Sequence, residues 1–202
     1  MSDEARFARA IARFDAANAQ DPRRERVDGA DQPLELAYAR RMTAVLDRFR
    51  PDAPEPVRLA ARSQHIRRWT IPRDTYPAGR DGYRRWRETL ARYHADAAAG
   101  ILRDVGYDDA TVGRVGALLR KERLKADPDT QLLEDVICLV FLEHYFPGFA
   151  RKHDETKLLS VLARTWRKMS PEGQRAARRI PLPPPLRALV ERAVATGHAD
   201  PS

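Results

Sequence analysis

The stretch Tyr83–Gly106, "YRRWRETLARYHADAAAGILRDVG", decides how the chain is read. Its large or apolar residues Tyr83, Trp86, Leu90, Tyr93, Ala97, Ile101 and Val105 recur every three or four positions. Only a helix puts that series on one face, and it holds for about six turns. Gly106 then supplies the residue best suited to a left-handed C-terminal cap.

Working outward, helical spacing recurs on both sides, and no segment alternates as a strand would. Phe7, Ile11 and Phe14 mark a first helix, which should stop at "NAQDPRRERVDGADQP", read as a polar loop. Pro33 suits the first turn of the next helix, whose inward face is Leu34, Tyr38, Met42, Val45, Leu46 and Phe49. A third helix begins around Pro56 and carries Val57, Leu59, Ala60 and Ala61. The segment 71–82, punctuated by Pro72, Pro77, Gly79 and Gly82, reads as an ordered surface loop.

Beyond Gly106, Asp108 or Asp109 can cap "DATVGRVGALLRK", and "DPDTQLLEDVICLVFLEHYF" is the most apolar helix. "DETKLLSVLARTWRKM" follows, then "SPEGQRAARR", where Ser170, Pro171 and Glu172 form a helix-start signature. The run "IPLPPPLRALVERAVATG" is a rigid spacer and a final helix at about 184–197, with a frayed tail at 198–202. The expectation is an all-α fold, a single compact helical bundle with its core at about 4–180.

A chain of 202 residues with 43% hydrophobic and 33% charged residues is globular rather than disordered. Its net charge of +8 permits an anionic partner without choosing one. The single cysteine, Cys138, excludes an internal disulfide and sits among apolar residues as a core thiol would. No signal-like apolar core and no run near the roughly 18 residues of a span is present, which predicts a soluble cytoplasmic protein with no membrane partner. Oligomeric state is not legible.

The unusual region is Ser63–Arg87, "SQHIRRWTIPRDTYPAGRDGYRRWR". Seven arginines, Arg67, Arg68, Arg73, Arg80, Arg84, Arg85 and Arg87, are threaded with Trp69, Tyr76, Tyr83 and Trp86. A solvated basic face accounts for some of them, Arg84 and Arg85 in particular. Arginine is also the residue for bidentate recognition of phosphate or carboxylate, and the aromatics can stack on a base or on guanidinium planes. Lys121, Arg123 and Lys125 in "RKERLK" can extend such a surface. An anionic small molecule, phosphorylated in the first reading, and a nucleic acid both remain open as partners.

The remaining chemistry lies in histidines and carboxylates. His65 follows an apolar helix, His94 lies in the long helix, and no local metal motif surrounds either. A divalent metal would need ligands from several helices, joining His65 and His94 to Glu134, Asp135 or Glu35. Glu134 and Asp135 are adjacent in the most apolar helix, so one can face inward. The inward carboxylate requires a cationic, hydrogen-bonding or metal partner, and the plain alternative for both acids is interaction with their own helix N-terminus.

Two resemblances bear on these residues. "AARSQHIRRW", "IPRDTYPAGRDGYRRWR", "YHADAAAGILRDVGYD", "LEDVICLVFLEHYF" and "TWRKMS" together resemble the domain-of-unknown-function family DUF4202 over nearly the whole chain. More distantly, "RLAARSQHIRR", "YHADAAAGILRDVGYDDATVGRVGALLRK" and "LEDVICLVFLE" resemble HD-domain metal-dependent phosphohydrolases. That second resemblance implies an HD-like bundle of about eight or nine helices. It places the His-Asp dyad on Gln64 and His65, the later histidine on His94, the final aspartate on Asp135 or Glu134, and the first histidine near Glu35 or Tyr38. The implied activity is phosphohydrolysis with a divalent metal held by His65, His94, Asp135 and Glu35.

In that reading Glu134 or Asp135 completes the catalytic set with His65 and His94. Gln64, Arg67, Arg68, Trp69, Arg73, Tyr76, Arg80, Tyr83, Arg87, Lys121 and Lys125 would hold the substrate. The dyad here reads Gln-His, so one metal-binding carboxylate of the pattern is missing. A remodelled metal site and a metal-free pocket, in which arginines replace the cation's charge, both follow. The alternative function is a non-catalytic nucleic-acid or nucleotide binding module.

Overall fold

The computed structural model describes residues 2–197. Among them are ten α-helices and one two-stranded hairpin, so the fold is all but entirely helical, with slightly more helices than expected. The expected tail at 198–202 lies outside the described residues.

Chain contacts divide the protein into two compact units, one up to Thr130 and one from Gln131 onward. In the first, helix α1 (Asp3–Asn18) is capped by Ser2, whose hydroxyl accepts from Ala5 N–H. The polar segment after α1 is not a loop. It forms strands β1 (Arg24–Val27) and β2 (Ala30–Pro33), paired antiparallel from Arg24 with Pro33 to Val27 with Ala30. Asp28 and Gly29 make the tight turn with φ of 49° and 83°, the mirror-image geometry that an Asp-Gly pair favours.

Helix α2 (Leu34–Phe49) buries the expected Tyr38, Met42, Val45 and Leu46, together with Glu35 in its first turn. Helix α3 (Glu55–Ser63) buries one face completely, with Val57, Leu59, Ala60 and Ala61 each at 0% exposure. Two single 3₁₀ turns, Arg68–Thr70 and Arg73–Thr75, carry the chain to the long helix α4 (Gly79–Val105). Helix α4 starts at Gly79, four residues before Tyr83, and takes in part of the expected loop. Gly82 therefore sits inside the helix, where a Cβ would stand 1.9 Å from the Pro77 carbonyl oxygen. Gly106 caps α4 at φ 93°, as its sequence predicts. Asp108 caps helix α5 (Asp109–Leu119), and α4 packs along α5 and α1 while α3 packs against α1, α2 and α5.

Helix α6 (Pro128–Val140) begins at the unit boundary. The most apolar stretch does not continue as one helix, because Phe141–Tyr145 widens into a π-turn before the short helix α7 (Phe146–Ala150). Pro147 at the start of α7 cannot donate to the preceding turn, which gives that break a local cause. Helices α8 (Glu155–Lys168), α9 (Pro171–Ala177) and α10 (Pro184–Gly197) complete the second unit, with α8 and α10 packed together. Cys138 is buried at 4% exposure, and among the described residues no helix is long and apolar enough to cross a membrane.

Candidate functional site

The end of α3 builds the centre of the site. After Gln64 the backbone turns on Ile66, which is fully buried, and Arg67 takes the left-handed conformation at φ 51°. Its N–H donates to Asn18 Oδ1 at 3.0 Å, which pins the unusual turn to the end of α1. This geometry brings Arg68 back over His65, and Arg68 Nη1 donates to His65 Nε2 at 2.9 Å.

A guanidinium has no acceptor atom, so Nε2 must offer its lone pair and the imidazole proton sits on Nδ1. That nitrogen is 3.3 Å from Glu35 Oε2. The ring also stacks on Tyr38, centroids 4.0 Å apart and planes 14° from parallel. Burial, and then the charges of Arg68, Arg87, Lys121 and Arg23, hold His65 well below the ordinary imidazole range. His65 is therefore neutral at physiological pH.

Below Glu35 lies a fully paired ionic base. Arg23 forks onto Asp21, with Nε to Oδ1 at 3.0 Å and Nη2 to Oδ2 at 2.9 Å, and Nη2 also reaches Glu35 Oε1 at 2.7 Å. The Glu35 N–H donates to Asp21 Oδ2 at 3.1 Å. Burial raises the Glu35 carboxyl, opposed by Arg68 and Arg23. For Asp21 burial acts upward as well, yet the hydrogen bonds from Arg23 prevail and its pKa is lowered. The two carboxylates thus serve Arg23 and orient His65.

His94 projects from the middle of α4. Its Nδ1 donates to the Ile66 carbonyl at 2.8 Å, which leaves the lone pair on Nε2. That Nε2 is buried and has no hydrogen-bond partner. Burial first, and His65 next, lower the pKa of His94 to about 3. The His65 and His94 ring centroids are 5.9 Å apart.

Both histidines open onto one cavity of about 220 Å³ in the first unit. Its lining joins Gln64, His65 and Arg68 from the α3 turn, residues 84–94 of α4, and Leu119, Arg120 and Lys121 from the end of α5. Arg68 lies over Trp86, 4.7 Å from guanidinium carbon to ring centroid. Burial, and then the charge of Arg87, lower the Arg68 pKa, so two guanidiniums that line this cavity repel one another. Among the described residues Arg87 makes no ion pair or hydrogen bond. Lys121 enters the wall from a left-handed residue at φ 57°.

Among the described residues, no group of three or more His, Cys, Asp and Glu side chains is placed to hold a metal ion. The donor set itself fits a divalent ion poorly. The lone pair of His65 is directed at a cation, and Arg23 occupies the outer oxygen of Glu35.

The family model described as "Domain of unknown function (DUF4202)" matches residues 8–190. The chain belongs to this DUF4202 family. Neither a curated protein nor a solved structure matches it.

Within this DUF4202 protein, Gln64, His65, Arg68, Arg87, His94 and Lys121 share the cavity, with Glu35 directly behind His65. Other candidates have other surroundings. Arg73 ties down its own loop through the carbonyls of Tyr76 and Pro77, both at 2.9 Å. Arg67 and Arg80 are exposed, Trp69 and Tyr76 half-buried, and Tyr83 is 51% exposed beside Trp86. Lys125 is an exposed residue of the turn after α5, at φ 78°.

Glu134 and Asp135 belong to the second unit. Asp135 accepts from Ser170 N–H at 2.7 Å, from the Ser170 hydroxyl and from Gln131 Nε2 at 3.0 Å, and so anchors the start of α9. Glu134 Oε1 is 3.5 Å from Lys168 Nζ. Both carboxylates of the "LEDV" pair are buried, Glu134 at 2% and Asp135 at 3% exposure, so the expectation that only one of them faces inward is not met, and each has a partner of the kind that burial demands.

Sequence reasoning missed Asp21 and Arg23, which lie in the segment read as a loop, and Glu88 and Arg120 on the cavity wall. Arg84, read as solvated, lines the cavity mouth 4.0 Å from Glu88. The Asp-Gly turn was the available signal for the first pair. It shows that "RERVDGADQP" is a hairpin, which fixes where Arg23 and Glu35 meet.

Proposed function

We propose that this protein binds a phosphorylated or nucleotide-like small molecule in the cavity of its first unit, without a metal ion. The observation that carries the reading is the opposed pair Arg68 and Arg87. The first is spent on a neutral imidazole and an aromatic face, and the second has no acceptor among the described residues. Like charges held together at a partly buried surface call for an anion between them. Arg84, Arg120 and Lys121 also line this wall, with Arg120 paired to Glu122 at 2.7 Å and Arg84 4.0 Å from Glu88.

Size favours a small molecule. The cavity of about 220 Å³ is below the roughly 300–1,000 Å³ of sites for drug-sized ligands, so a phosphorylated metabolite suits it better than a strand of nucleic acid. The aromatics point the same way. Trp86 is 8% exposed, donates its indole N–H to the Ile71 carbonyl at 2.9 Å and carries Arg68 on its face. That face is already occupied and cannot serve as a base-stacking platform.

Isothermal titration with methyl phosphate, ribose 5-phosphate and nucleoside monophosphates tests the reading. Saturable binding is expected, weakened about 10- to 100-fold by Arg87→Met, as for loss of one charged hydrogen-bonding group. Heat that does not saturate with any of these, or binding indifferent to Arg87→Met, contradicts it. A single-stranded RNA that binds with a steep salt dependence while the small molecules do not would replace it with the nucleic-acid alternative.

A further inference from the structure

The cationic wall explains how an anion would be held, but it leaves His94 unexplained. A histidine at 4% exposure whose Nδ1 is held by a backbone carbonyl has a fixed tautomer, and its Nε2 lone pair is buried without a donor. Buried acceptors are satisfied in nearly all folded proteins, and each orphan costs stability. Gln64, on the same wall, also buries its Oε1 without a partner. The neighbourhood could easily have supplied a donor. The cavity is lined by four arginines and a lysine, yet Arg68 is turned to His65 and Arg120 to Glu122, and neither donates to His94 Nε2.

We infer that the ligand has two parts: a phosphoryl group held by Arg68 and Arg87, and a hydroxyl of the same molecule that donates its hydrogen bond to His94 Nε2. The site is then specific for phosphorylated sugars or polyols and discriminates against alkyl phosphates of the same charge. His94 is the specificity-determining residue, and its neutrality is part of the device, since an imidazolium could not accept. The spacing suits a compact ligand. Arg68 and His94 both adjoin His65, with Arg68 Nη1 2.9 Å from His65 Nε2 and the two imidazole centroids 5.9 Å apart. This inference rests on the anion-binding reading above, and its test separates the two.

The probes are ribose 5-phosphate and methyl phosphate at pH 8, where the methyl phosphate dianion has no hydroxyl to donate. Binding is measured by calorimetry, and the Nε2 resonance of His94 is followed in protein carrying ¹⁵N-histidine. Ribose 5-phosphate is expected to bind about tenfold more tightly, the worth of one satisfied acceptor, and to move the His94 Nε2 resonance upfield from that of a bare pyridine-type nitrogen. Methyl phosphate should bind without moving it, and His94→Phe should bring both probes to the same affinity. The resonance shift in the wild-type protein decides the matter even where His94→Phe does not fold. If ribose 5-phosphate binds with an unmoved Nε2 and no advantage over methyl phosphate, the inference falls and anion binding stands. If neither probe binds, both fall.

Discussion

Arg68 Nη1 donates to His65 Nε2 at 2.9 Å, and this one bond sets the tautomer of His65. With the guanidinium on one nitrogen and Glu35 Oε2 3.3 Å from the other, His65 is neutral and oriented from both sides. Arg68→Met removes the largest charge, after burial, that holds His65 down. The His65 pKa therefore rises in the variant. A histidine titration by NMR reads this directly, and an unchanged His65 would show that Arg68 does not sit where it is placed here.

Two buried neutral histidines also fix a pH dependence. The pKa of His94 is lowered from 6.5 to about 3 and that of His65 is lowered too, so unfolding below pH 6.5 takes up protons that the folded state does not bind. Stability then rises with pH in this window and is lost as pH falls below the unfolded value. Each histidine should cost about 1.4 kcal/mol for each pH unit below 6.5. Urea unfolding at pH 7.0, 6.0 and 5.5 measures the slope, which His94→Phe should roughly halve. A stability that is flat across this range contradicts the neutral pair.

Arg23 is hydrogen-bonded to both Asp21 and Glu35, whose side chains are 0% and 3% exposed. Arg23→Met leaves two buried carboxylates without it, at a cost of about 3 kcal/mol near neutral pH. Because the unpaired acids then take up protons more readily, part of that loss returns on mild acidification. Chemical denaturation at pH 7 and pH 5 tests both statements. A loss under 1 kcal/mol, or one that grows at pH 5 relative to wild type, would count against the network.

Asp135 is a structural group of the second unit. Its bonds to Ser170 and Gln131 hold the start of α9, and a Cβ on Gly173 would meet its Cγ at 2.7 Å. Asp135→Ala should cost about 1–2 kcal/mol, as loss of a helix-start anchor does, and leave phosphate-ester affinity unchanged. Gly173→Ala should destabilise through crowding. If Asp135→Ala abolishes ligand binding while folding survives, Asp135 belongs to the functional site after all.

The legible part of this molecule was the part governed by local spacing. Residues 83–106 announce a helix through their own periodicity, and Gly106, Asp108 and Ser170 mark caps through chemistry that acts within four residues. The basic stretch after α3 likewise drew attention to His65, Arg68 and Arg87. What was hidden depends on partners far along the chain. Asp21 and Arg23 look like solvated loop charges until the hairpin brings Arg23 to Glu35, 12 residues away. Asp135 looks like an available acid until Ser170, 35 residues on, is seen to occupy it. A buried charge reveals its role only through the group that neutralises it, and periodicity does not say which group that is. The start of α4 was obscured because Pro77, Gly79 and Gly82 read as loop punctuation, although Gly82 is there for its close approach to Pro77.

The central claim is that Arg68 and Arg87 hold an anion between them, and the guanidinium resonances of those two residues test it most directly. On titration of ¹⁵N-arginine-labelled protein with ribose 5-phosphate, the Nε–H signals of Arg68 and Arg87 should move together and saturate with one dissociation constant, while that of Arg73, committed to backbone carbonyls, stays in place. If both signals remain still up to millimolar ligand, or move only in step with Arg73 and other arginines as a general charge effect, the cavity is not an anion site.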